Sequence, residues 1–594
     1  MKINLNLFKL LNNVCIHLLL LGLLLFPIRS FSQTRAVSIW AAPSEQKIRP
    51  NDTVEKNNLI WMESRKEINI FGGSNEHIAF QIVITTPVPE GRKPKAPGGF
   101  FMTVSDLTSS QGKIIPKERI KLFLEHYILL YGKSSIVGST GLWPDALAPL
   151  KVPFDMQAQY EVVGNRPVWV DVDIPTGTPA GKYKGIINVT RNGVSLEHLN
   201  LELKVYGFSL PNKTHLITYM NISKESLAQF YHKPDSSKDI DRLTQTYYKF
   251  LYDHRMEPWF NDQLQPKIIV HNREVIVKFN EKRYKYYMDS LNTNRVLLNS
   301  YPSELKAETA TKPFSPEFKE IVGSYLSQVT AYFKRHGWGD RLVFNSPIDE
   351  PDSKADYDNT RSWAELVHHA ASGIPFLATK TPVTPEDHLN WGTLRGYVND
   401  FSIHGNALND HEVKKAILEE ESKGGEMTWY ISCDQHYPQP NYFIDAPALD
   451  PVMIPWITAR YHLNGILYWA LNYWPETVNP WLDAVTFHSG FLCSDGYVLN
   501  GEGSLLYPGD FTREYAGQPN VYGPVSSIRL ELLREGIQDY EHLWMLRNSG
   551  EGKYADSIVR SLVVSVKAFS RNREDIYLAR KAMAERLEEI AKHK

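Results

Sequence analysis

The sequence predicts a multidomain protein of mixed β and α/β class, with an N-terminal β-sandwich, a central (β/α)8 barrel and C-terminal helices. Residues 33–212 show the period-two alternation of short strands, residues 213–510 alternate short apolar runs with helical patterns, and residues 511–594 are helical. We therefore expect a sandwich domain over 33–212, a catalytic barrel over 213–510, and a helical segment over 511–594 that packs on the barrel. Residues 1–32 are expected to be a signal peptide.

The N-terminus has the three parts of a secretory signal. A short basic region precedes an apolar run over Leu18–Phe26, and Ser30 and Ser32 then supply the small residues before a cut at Gln33. No later stretch reaches the ~18 apolar residues that a membrane span needs. We expect export to the periplasm or the cell surface without stable membrane insertion. An uncleaved membrane anchor is the alternative.

Two cysteines, Cys433 and Cys493, remain after such a cut, which is too few for a disulfide framework. Export would permit them to pair. Packing as two separate small apolar residues is an equally open alternative.

The sandwich domain is predicted from its strand and turn patterns. Val168–Ile174 alternates apolar with polar or aromatic residues, as a half-buried strand does, and Leu199–Val205 alternates again. Asn192-Gly193 is a hairpin turn signal between strands. The run Leu210-Pro211-Asn212 marks the expected domain boundary.

The barrel is predicted from eight short apolar runs that alternate with helical patterns. The strand candidates are His215–Met220, Glu257–Phe260, Arg295–Leu298, Leu342–Phe344, Phe376–Thr379, Asp400–Ile403, Met427–Ile431 and Gly465–Ala470. The clearest helix is Glu317–Arg335, and Ile268–Phe279 reads as an inserted hairpin. Further helices are expected over Pro455–His462, Ser526–Leu546, Lys553–Phe569 and Asp575–Lys592.

Active sites of such barrels lie at the carboxyl ends of the strands, where this chain concentrates acids, amides and aromatic rings. The candidates are Asn221 after the first strand, Asp349 and Glu350 after the fourth, His404 and Asn406 after the sixth, Trp429, Tyr430 and Asp434 at the seventh, and Trp469, Asn472 and Trp474 at the eighth. This mixture is typical of a sugar pocket, because aromatic rings cover the apolar face of a sugar while polar groups bind its hydroxyls.

Asp349-Glu350 is the sharpest of these features, since it is the only Asp-Glu dipeptide in the chain and lies between Pro347 and Pro351. Glycoside hydrolysis usually needs two carboxyl groups, one to protonate the leaving oxygen and one at the anomeric carbon. Neighbours in a regular strand face opposite ways, so both can serve one site only where the strand ends, as flanking prolines favour. Adjacent carboxylates also raise each other's pKa. A surface pair capping a loop is the alternative.

Composition and motifs exclude several other functions. Lys and Arg number 65 against 67 Asp and Glu, so no basic excess is available to bind nucleic acid. The chain has no H-E-x-x-H zinc helix, no G-x-S-x-G nucleophile elbow and no dinucleotide fingerprint. We therefore expect no metal and no cofactor, and a glycan as the partner. The oligomeric state is left open.

Four groups of motifs resemble glycoside hydrolase family 123 and the broader domain of unknown function 4091 group over nearly all of the mature chain. They are Pro167–Pro175 with Pro179–Tyr183; Ile348–Pro351; Trp429-Tyr430 through Tyr437–Asn441, Phe443–Asp445 and Gly465–Trp469 to Asn472–Trp474; and Tyr507–Gly509 with Gly523-Pro524 and Ser527–Glu541.

The resemblance implies an exported bacterial enzyme that removes terminal β-linked N-acetylgalactosamine with retention of configuration. In the family the substrate's own 2-acetamido group is the nucleophile and forms an oxazoline. Carried over, Asp349 would orient the acetamide, Glu350 would act first as general acid and then as base, and Trp429, Tyr430 and Trp469 would wall the acetamide pocket. Two alternatives stay open: a glycosidase for a sugar without acetamide, and a non-catalytic glycan-binding protein of the cell envelope.

Overall fold

The computed structural model describes residues 37–86, 98–156, 164–309, 312–493 and 495–593. The expected signal peptide over 1–32 lies outside these ranges, so export stays a prediction. Within the described ranges, none of the helices combines the length and the apolar character that crossing a bilayer requires.

Two β-sheets packed around one core form the N-terminal domain, as the sandwich prediction requires. In the described part of the domain the strands are β1 Ser38–Pro43, β2 Trp61–Met62, β3 Glu67–Ser74, β4 Glu76–Thr85, β5 Phe100–Val104, β6 Leu107–Ser109, β7 Ile114–Ile115, β8 Ile120–Leu130, β9 Gly141–Pro149, β10 Asn165–Ile174, β11 Gly181–Arg191 and β12 Val194–Ser209. One sheet has the order β1-β4-β10-β8-β9, and the other has β2-β3-β12-β11-β6-β7 with β5 also paired to β11. Among the described strands of this domain, β3 and β12 are the pair that runs in parallel.

Strand β10 is buried on both faces, which corrects the prediction of a half-buried strand. Val168, Val170 and Val172 face the sandwich core, whereas Trp169 on the other face belongs to the core of the rest of the molecule. Asp171 is on that second face as well and forms an ion pair of 2.8 Å with Arg534. The polar residue of the alternation is therefore paired in the interior instead of being solvated.

The remainder of the chain supplies a parallel sheet, the helices that cover it and the C-terminal helices. In chain order the elements are β13 Ile217–Met220, α1 Lys224–Phe230, α2 Lys238–Asp253, β14 Lys267–His271, β15 Glu274–Lys278, α3 Glu281–Lys285, β16 Val296–Asn299, α4 Ser303–Thr309, α5 Pro316–Arg335, β17 Leu342–Asn345, α6 Lys354–Ala370, β18 Phe376–Ala378, β19 Asp400–His404, α7 His411–Ser422, β20 Glu426–Tyr430, α8 Leu449–Arg460, β21 Gly465–Tyr468, β22 Tyr507–Pro508, α9 Thr512–Ala516, β23 Pro524–Val525, α10 Ile528–Leu546, α11 Gly552–Leu562, β24 Val563–Ser565, β25 Ala568–Phe569 and α12 Arg573–Lys592.

The parallel sheet has seven strands in the order β13-β21-β20-β19-β18-β17-β16, so the predicted eight-stranded ladder is corrected for the described residues. The second predicted strand, Glu257–Phe260, is reduced to a single bridge between Pro258 and Met220. Proline has no N–H to donate, so it cannot continue a ladder. The neighbouring Glu257 carboxylate instead accepts hydrogen bonds from the backbone N–H groups of Asn294, at 2.8 Å, and Arg295, at 3.3 Å. The Glu257 side chain thus joins the Pro258 segment beside β13 to the residues that precede β16, and we call this junction the seam.

Most of the predicted helices and the hairpin β14–β15 are confirmed, and two helix boundaries are wrong. Helix α8 begins at Leu449 and carries Pro455 in its interior, although this proline was predicted to start the helix. Helix α11 ends at Leu562, where β-branched Val563 and Val564 lead into β24 and not into a continued helix.

The long C-terminal helix α10 is buried along most of its length. It crosses α8 at Gly536, where an added Cβ would lie 2.4 Å from the carbonyl oxygen of Val452. Only a glycine permits this approach of two backbones. The polar side chains of α10 are therefore forced into the interior, where they need partners.

Arg529 of α10 has the most complete set of such partners. Its guanidinium forms a two-pronged ion pair with Asp145 of β9, at 2.9 and 2.7 Å, and both side chains are fully buried. It also donates to the carbonyl oxygens of Tyr442, Gly501 and Ser504. One side chain thereby joins the sandwich, the C-terminal helix and two loops above the parallel sheet.

Replacing Arg529 by methionine is expected to lower the free energy of unfolding by about 3–5 kcal/mol, because Asp145 would be left buried without its partner. Chemical denaturation of the purified protein measures this. Asp253→Asn is the matched control, since the Lys249–Asp253 pair is exposed and worth below ~1 kcal/mol. Equal losses in the two variants would contradict the assigned role.

The seam carboxylate predicts a pH-dependent contribution to stability. Burial raises the pKa of Glu257 to about 7 from an ordinary value of 4.5, against the opposing effect of the hydrogen bonds from Asn294 and Arg295. A carboxyl with a raised pKa binds its proton more tightly in the folded state, so its contribution is complete below pH ~4.5 and is lost as the pH rises through ~7.

We expect Glu257→Gln to become more stable relative to the wild type as the pH rises from about 4.5 to about 7, and to keep that difference at higher pH. Urea unfolding at several pH values measures it, with exposed Glu274→Gln as the control. Parallel pH profiles for the wild type and Glu257→Gln would contradict this prediction.

Candidate active site

The predicted acid pair lies beyond the end of a central strand of the parallel sheet. Strand β17 ends at Asn345, and the chain then runs through Pro347 to Asp349 and Glu350. Both acids are exposed. The strand thus ends before the pair, as the flanking prolines predict, and the alternation of a strand does not force the two side chains apart.

Thr379, which follows strand β18, fixes both acids through one hydroxyl group. Its Oγ1 donates to Oδ1 of Asp349 at 2.5 Å and accepts the backbone N–H of Glu350 at 3.0 Å. Glu350 has a φ of 41°, in the left-handed region that non-glycine residues seldom occupy. The hydrogen bond from its N–H is one contact that holds this backbone in place.

Tyr430, the last residue of β20, donates its hydroxyl hydrogen to Oε1 of Glu350. Burial, and then the negative charge of Glu350, raise the pKa of the Tyr430 hydroxyl well above its usual range, and Asp349 and Asp434 act in the same direction. Tyr430 therefore stays protonated and is a hydrogen-bond donor at any ordinary pH. Three carboxylates thus act on one phenol, and Glu350 is the one in contact with it.

His404 at the end of β19 packs edge-on against Tyr430, with ring centroids 4.9 Å apart. Its Nε2 is 3.1 Å from Oδ1 of Asp434, and Asn406 donates to the other oxygen of that carboxylate at 2.7 Å. Burial raises the pKa of Asp434, but the hydrogen bond and charge of His404 and the hydrogen bond from Ser432 outweigh it, so the net pKa is lowered. Asp434 is therefore an ionised acceptor at neutral pH.

A cleft of about 910 Å³ lies at the carboxyl ends of β17 to β20; Glu350 lines it, whereas Asp349 is not among its lining residues. The cleft is lined by, among others, Glu350, Thr379, His404, Asn406, Tyr430 and Asp434. A volume of this size accommodates more than one sugar ring. The geometry thus offers a carboxyl group, a phenol and a second, firmly held carboxylate to a bound carbohydrate.

Trp469, directly after β21, is half-buried and packs against Tyr473 and Phe487. Its indole N–H donates to Oε1 of Glu502 at 2.6 Å. Burial raises the pKa of Glu502 to about 7, although the hydrogen bond from Trp469 lowers it. The Trp469 ring thus has a fixed orientation at the carboxyl end of β21.

Three other sequence-predicted site residues have structural contacts instead. Trp429 points away from the cleft, because alternation along β20 sends Tyr430 inward and Trp429 outward, where its indole N–H donates to Thr458 of α8 at 2.8 Å. Asn472 is fully buried and binds the backbone of Ser223. Asn221 donates to the carbonyl oxygen of Trp469 at 2.8 Å. None of the three is among the residues that line the cleft described above, and a contact of theirs with sugar stays a prediction.

Sequence reasoning missed Thr379, and it named Asp434 only as one of several polar residues at the seventh strand, without a role. A hydroxyl after the short apolar run Phe376–Ala378 carries little signal on its own. Cys433, next to Asp434, is disulfide-bonded. The side chain of Cys493, the other cysteine expected in the mature chain, lies outside the described part of the chain. No cluster suited to a metal ion occurs among the residues that the structure describes.

Comparison with solved structures shows that the chain shares the fold of a known glycoside hydrolase. A family 123 glycoside hydrolase from Clostridium perfringens, described in terms of glycolipid glycan hydrolysis, is 16% identical with a TM-score of 0.63, and the match covers 94% of this chain and 98% of that one. A GH5 xyloglucanase from Bacteroides ovatus gives a TM-score of 0.28 at 8% identity, covering 80% of this chain and 99% of its own, which is too low to carry an argument. No curated protein sequence is significantly similar to the chain.

Family models give the more specific result. The catalytic-domain model of glycoside hydrolase family 123 matches residues 286–546, and the N-terminal-domain model of the same family matches residues 55–191. The first range contains every residue of the cleft described above, and the second contains most of the sandwich. The chain belongs to glycoside hydrolase family 123.

Proposed function

We propose that this protein is a retaining exo-glycosidase that removes terminal β-linked N-acetylhexosamine, most simply N-acetylgalactosamine, by substrate-assisted catalysis. The observation that carries the proposal is the single hydroxyl of Thr379, which holds Asp349 and the backbone of Glu350 while Tyr430 holds the Glu350 carboxyl. Two acids fixed by a common group at an open cleft are what this reaction needs. Family membership supports the reaction class, and the implied use of the acetamide comes from the resemblance.

In the first step the acetamide carbonyl oxygen attacks the anomeric carbon while the bond to the leaving oxygen breaks. Glu350 gives its proton to that oxygen, so the leaving sugar departs as a neutral alcohol. Asp349 accepts a hydrogen bond from the acetamide N–H and stabilises the positive charge that develops on the oxazoline ring. The tethered nucleophile supplies the proximity that a separate carboxylate would otherwise provide.

In the second step water attacks the anomeric carbon, and Glu350, now ionised, takes up its proton as the oxazoline ring opens. Two attacks on the same carbon from opposite faces give overall retention. Tyr430 favours the first step, because its hydroxyl donates to the carboxylate that Glu350 becomes when it gives up its proton, and in the second step the same hydrogen bond holds that carboxylate in place. Trp469 and His404 remain the proposed contacts to the sugar ring and its hydroxyls.

The two acid roles predict different dependences on the leaving group. Glu350→Gln is expected to lower kcat/KM by a factor of about 10²–10⁴ for substrates with poor leaving groups, and by less for a 4-nitrophenyl glycoside that needs little protonation. Asp349→Asn is expected to lose activity by a similar factor with both kinds of leaving group. Steady-state kinetics on aryl N-acetylgalactosaminides and N-acetylglucosaminides measure this.

Asp352→Asn is the control, since Asp352 is an exposed acid close to the pair. Full activity in either Glu350→Gln or Asp349→Asn would defeat the assigned roles. A thiazoline mimic of the oxazoline should inhibit the wild type strongly and Asp349→Asn weakly. Hydrolysis without such inhibition would favour a glycosidase for sugars that lack the acetamide, and sugar binding without any turnover would favour a glycan-binding protein.

Thr379 should act as a positioning residue for both acids. Thr379→Val removes the shared hydroxyl and is expected to lower kcat by roughly 10- to 100-fold, the range of one lost hydrogen bond to a charged group. Thr379→Ser keeps the hydroxyl and should retain most of the activity. An equal loss in both variants, or an unchanged kcat in Thr379→Val, would show that the two hydrogen bonds of the Thr379 hydroxyl are unimportant for catalysis. The thermal unfolding midpoints of both variants control for misfolding.

A further inference from the structure

The Asp434 carboxylate is held as firmly as the acid pair, although the reaction proposed above gives it no task. Two side chains donate to it, Ser432 to Oδ1 at 3.0 Å and Asn406 to Oδ2 at 2.7 Å, and Nε2 of His404 lies 3.1 Å from Oδ1. Gln439 in turn donates to the amide oxygen of Asn406. This contact orients the Asn406 amide so that its NH₂ group faces Asp434. A network of this size orients one carboxylate in a single direction.

Asp434 nevertheless keeps capacity for a ligand. An ionised carboxylate accepts about four hydrogen bonds, and these side chains supply at most three. The side chain is 35% exposed and lines the cleft. A carboxylate fixed in this way loses little conformational freedom when hydroxyl donors arrive, so its hydrogen bonds to a ligand are preorganised.

The position of Asp434 relative to Glu350 indicates which part of a sugar it would meet. The rings of Tyr430 and His404 lie between the two carboxyl groups, and Tyr430 contacts one while His404 contacts the other. Glu350 must reach the oxygen on C1 of the terminal sugar. A carboxylate on the same wall, separated from it by the width of these rings, faces the opposite side of the pyranose, where the C3 and C4 hydroxyls lie.

We propose that Asp434 determines sugar specificity by accepting hydrogen bonds from the C3 and C4 hydroxyls of the terminal N-acetylhexosamine. This inference rests on the proposed function and deepens it. The direction of the C4 hydroxyl is the only difference between N-acetylgalactosamine and N-acetylglucosamine. A fixed acceptor at this position discriminates between them, because the wrong epimer leaves a desolvated charge without its donor.

The test combines a variant with a modified substrate. Asp434→Asn should lower kcat/KM for an aryl N-acetylgalactosaminide by roughly 10- to 100-fold, the range of one hydrogen bond to a charged group. The wild type should lose a similar factor on the matching 4-deoxy substrate. Asp434→Asn should lose little more on that substrate, because the two changes remove the same hydrogen bond. A merely structural role would give losses that multiply.

Glu412→Gln serves as the control, since Glu412 is an exposed acid at the same cleft and has no contact with the Asp434 network. The inference would be overturned if the kcat/KM losses caused by Asp434→Asn and by the 4-deoxy substrate multiplied. It would also be overturned if Asp434→Asn kept the wild-type preference between N-acetylgalactosaminide and N-acetylglucosaminide. If Asp434→Asn fails to fold, the wild type decides alone: no penalty for the 4-deoxy substrate would overturn the inference.

Failure of the proposed function is recognised separately. It would appear as a wild-type enzyme that hydrolyses none of the aryl N-acetylhexosaminides. Binding of free N-acetylgalactosamine and of its 4-deoxy form, followed by NMR titration of wild type and Asp434→Asn, then tests the inference without turnover. The inference is supported if loss of the C4 hydroxyl weakens binding to the wild type but not to Asp434→Asn. Equal affinities of the wild type for the two sugars would overturn it.

Discussion

The buried pairing of Arg529 with Asp145 is the interaction on which the rest of the structure depends. A charged pair in the interior is tolerated only when its remaining hydrogen-bonding groups are satisfied, and Arg529 meets this by also donating to the carbonyls of Tyr442, Gly501 and Ser504. Those carbonyls belong to loops above the parallel sheet. The sandwich domain thus does more than cover the C-terminal helix, since it fixes the position of loops that approach the cleft.

The loop from Gly501 to Ser504 carries this constraint towards the proposed site. Arg529 holds its two ends, and between them Glu502 accepts the indole N–H of Trp469. Gly503 has a φ of 68°, and an added Cβ would lie 2.5 Å from the Trp469 ring, so only glycine lets the loop close on the indole. The orientation of this aromatic ring therefore originates in an ion pair between two other parts of the molecule.

The sequence predicted the order of the elements and the position of Asp349-Glu350, because hydrophobic periodicity and flanking prolines are local signals. It failed wherever a residue's environment is supplied by a distant segment. Asp171 was expected to be solvated, but Arg534, far along the chain, covers it. Trp429 was chosen with Tyr430, although only one of two neighbours in a strand can face the cleft, and the phase of that alternation was not decided. Thr379 gave no signal because its role depends on a contact with Asp349, which follows a different strand, β17.

The irregular seam at Pro258 raises the question of how an incomplete ladder supports a precise site. The strand order answers it. The cleft residues follow β17, β18, β19 and β20, which are consecutive neighbours in the middle of the sheet, and Trp469 follows the next strand, β21. Their ladders are all parallel and in register. The seam lies at the outer strands, between the Pro258 bridge on β13 and the start of β16, where the Glu257 carboxylate replaces backbone pairing. A change of geometry there must cross β16 or β13 before it reaches the acids, so paired strands separate the seam from the site.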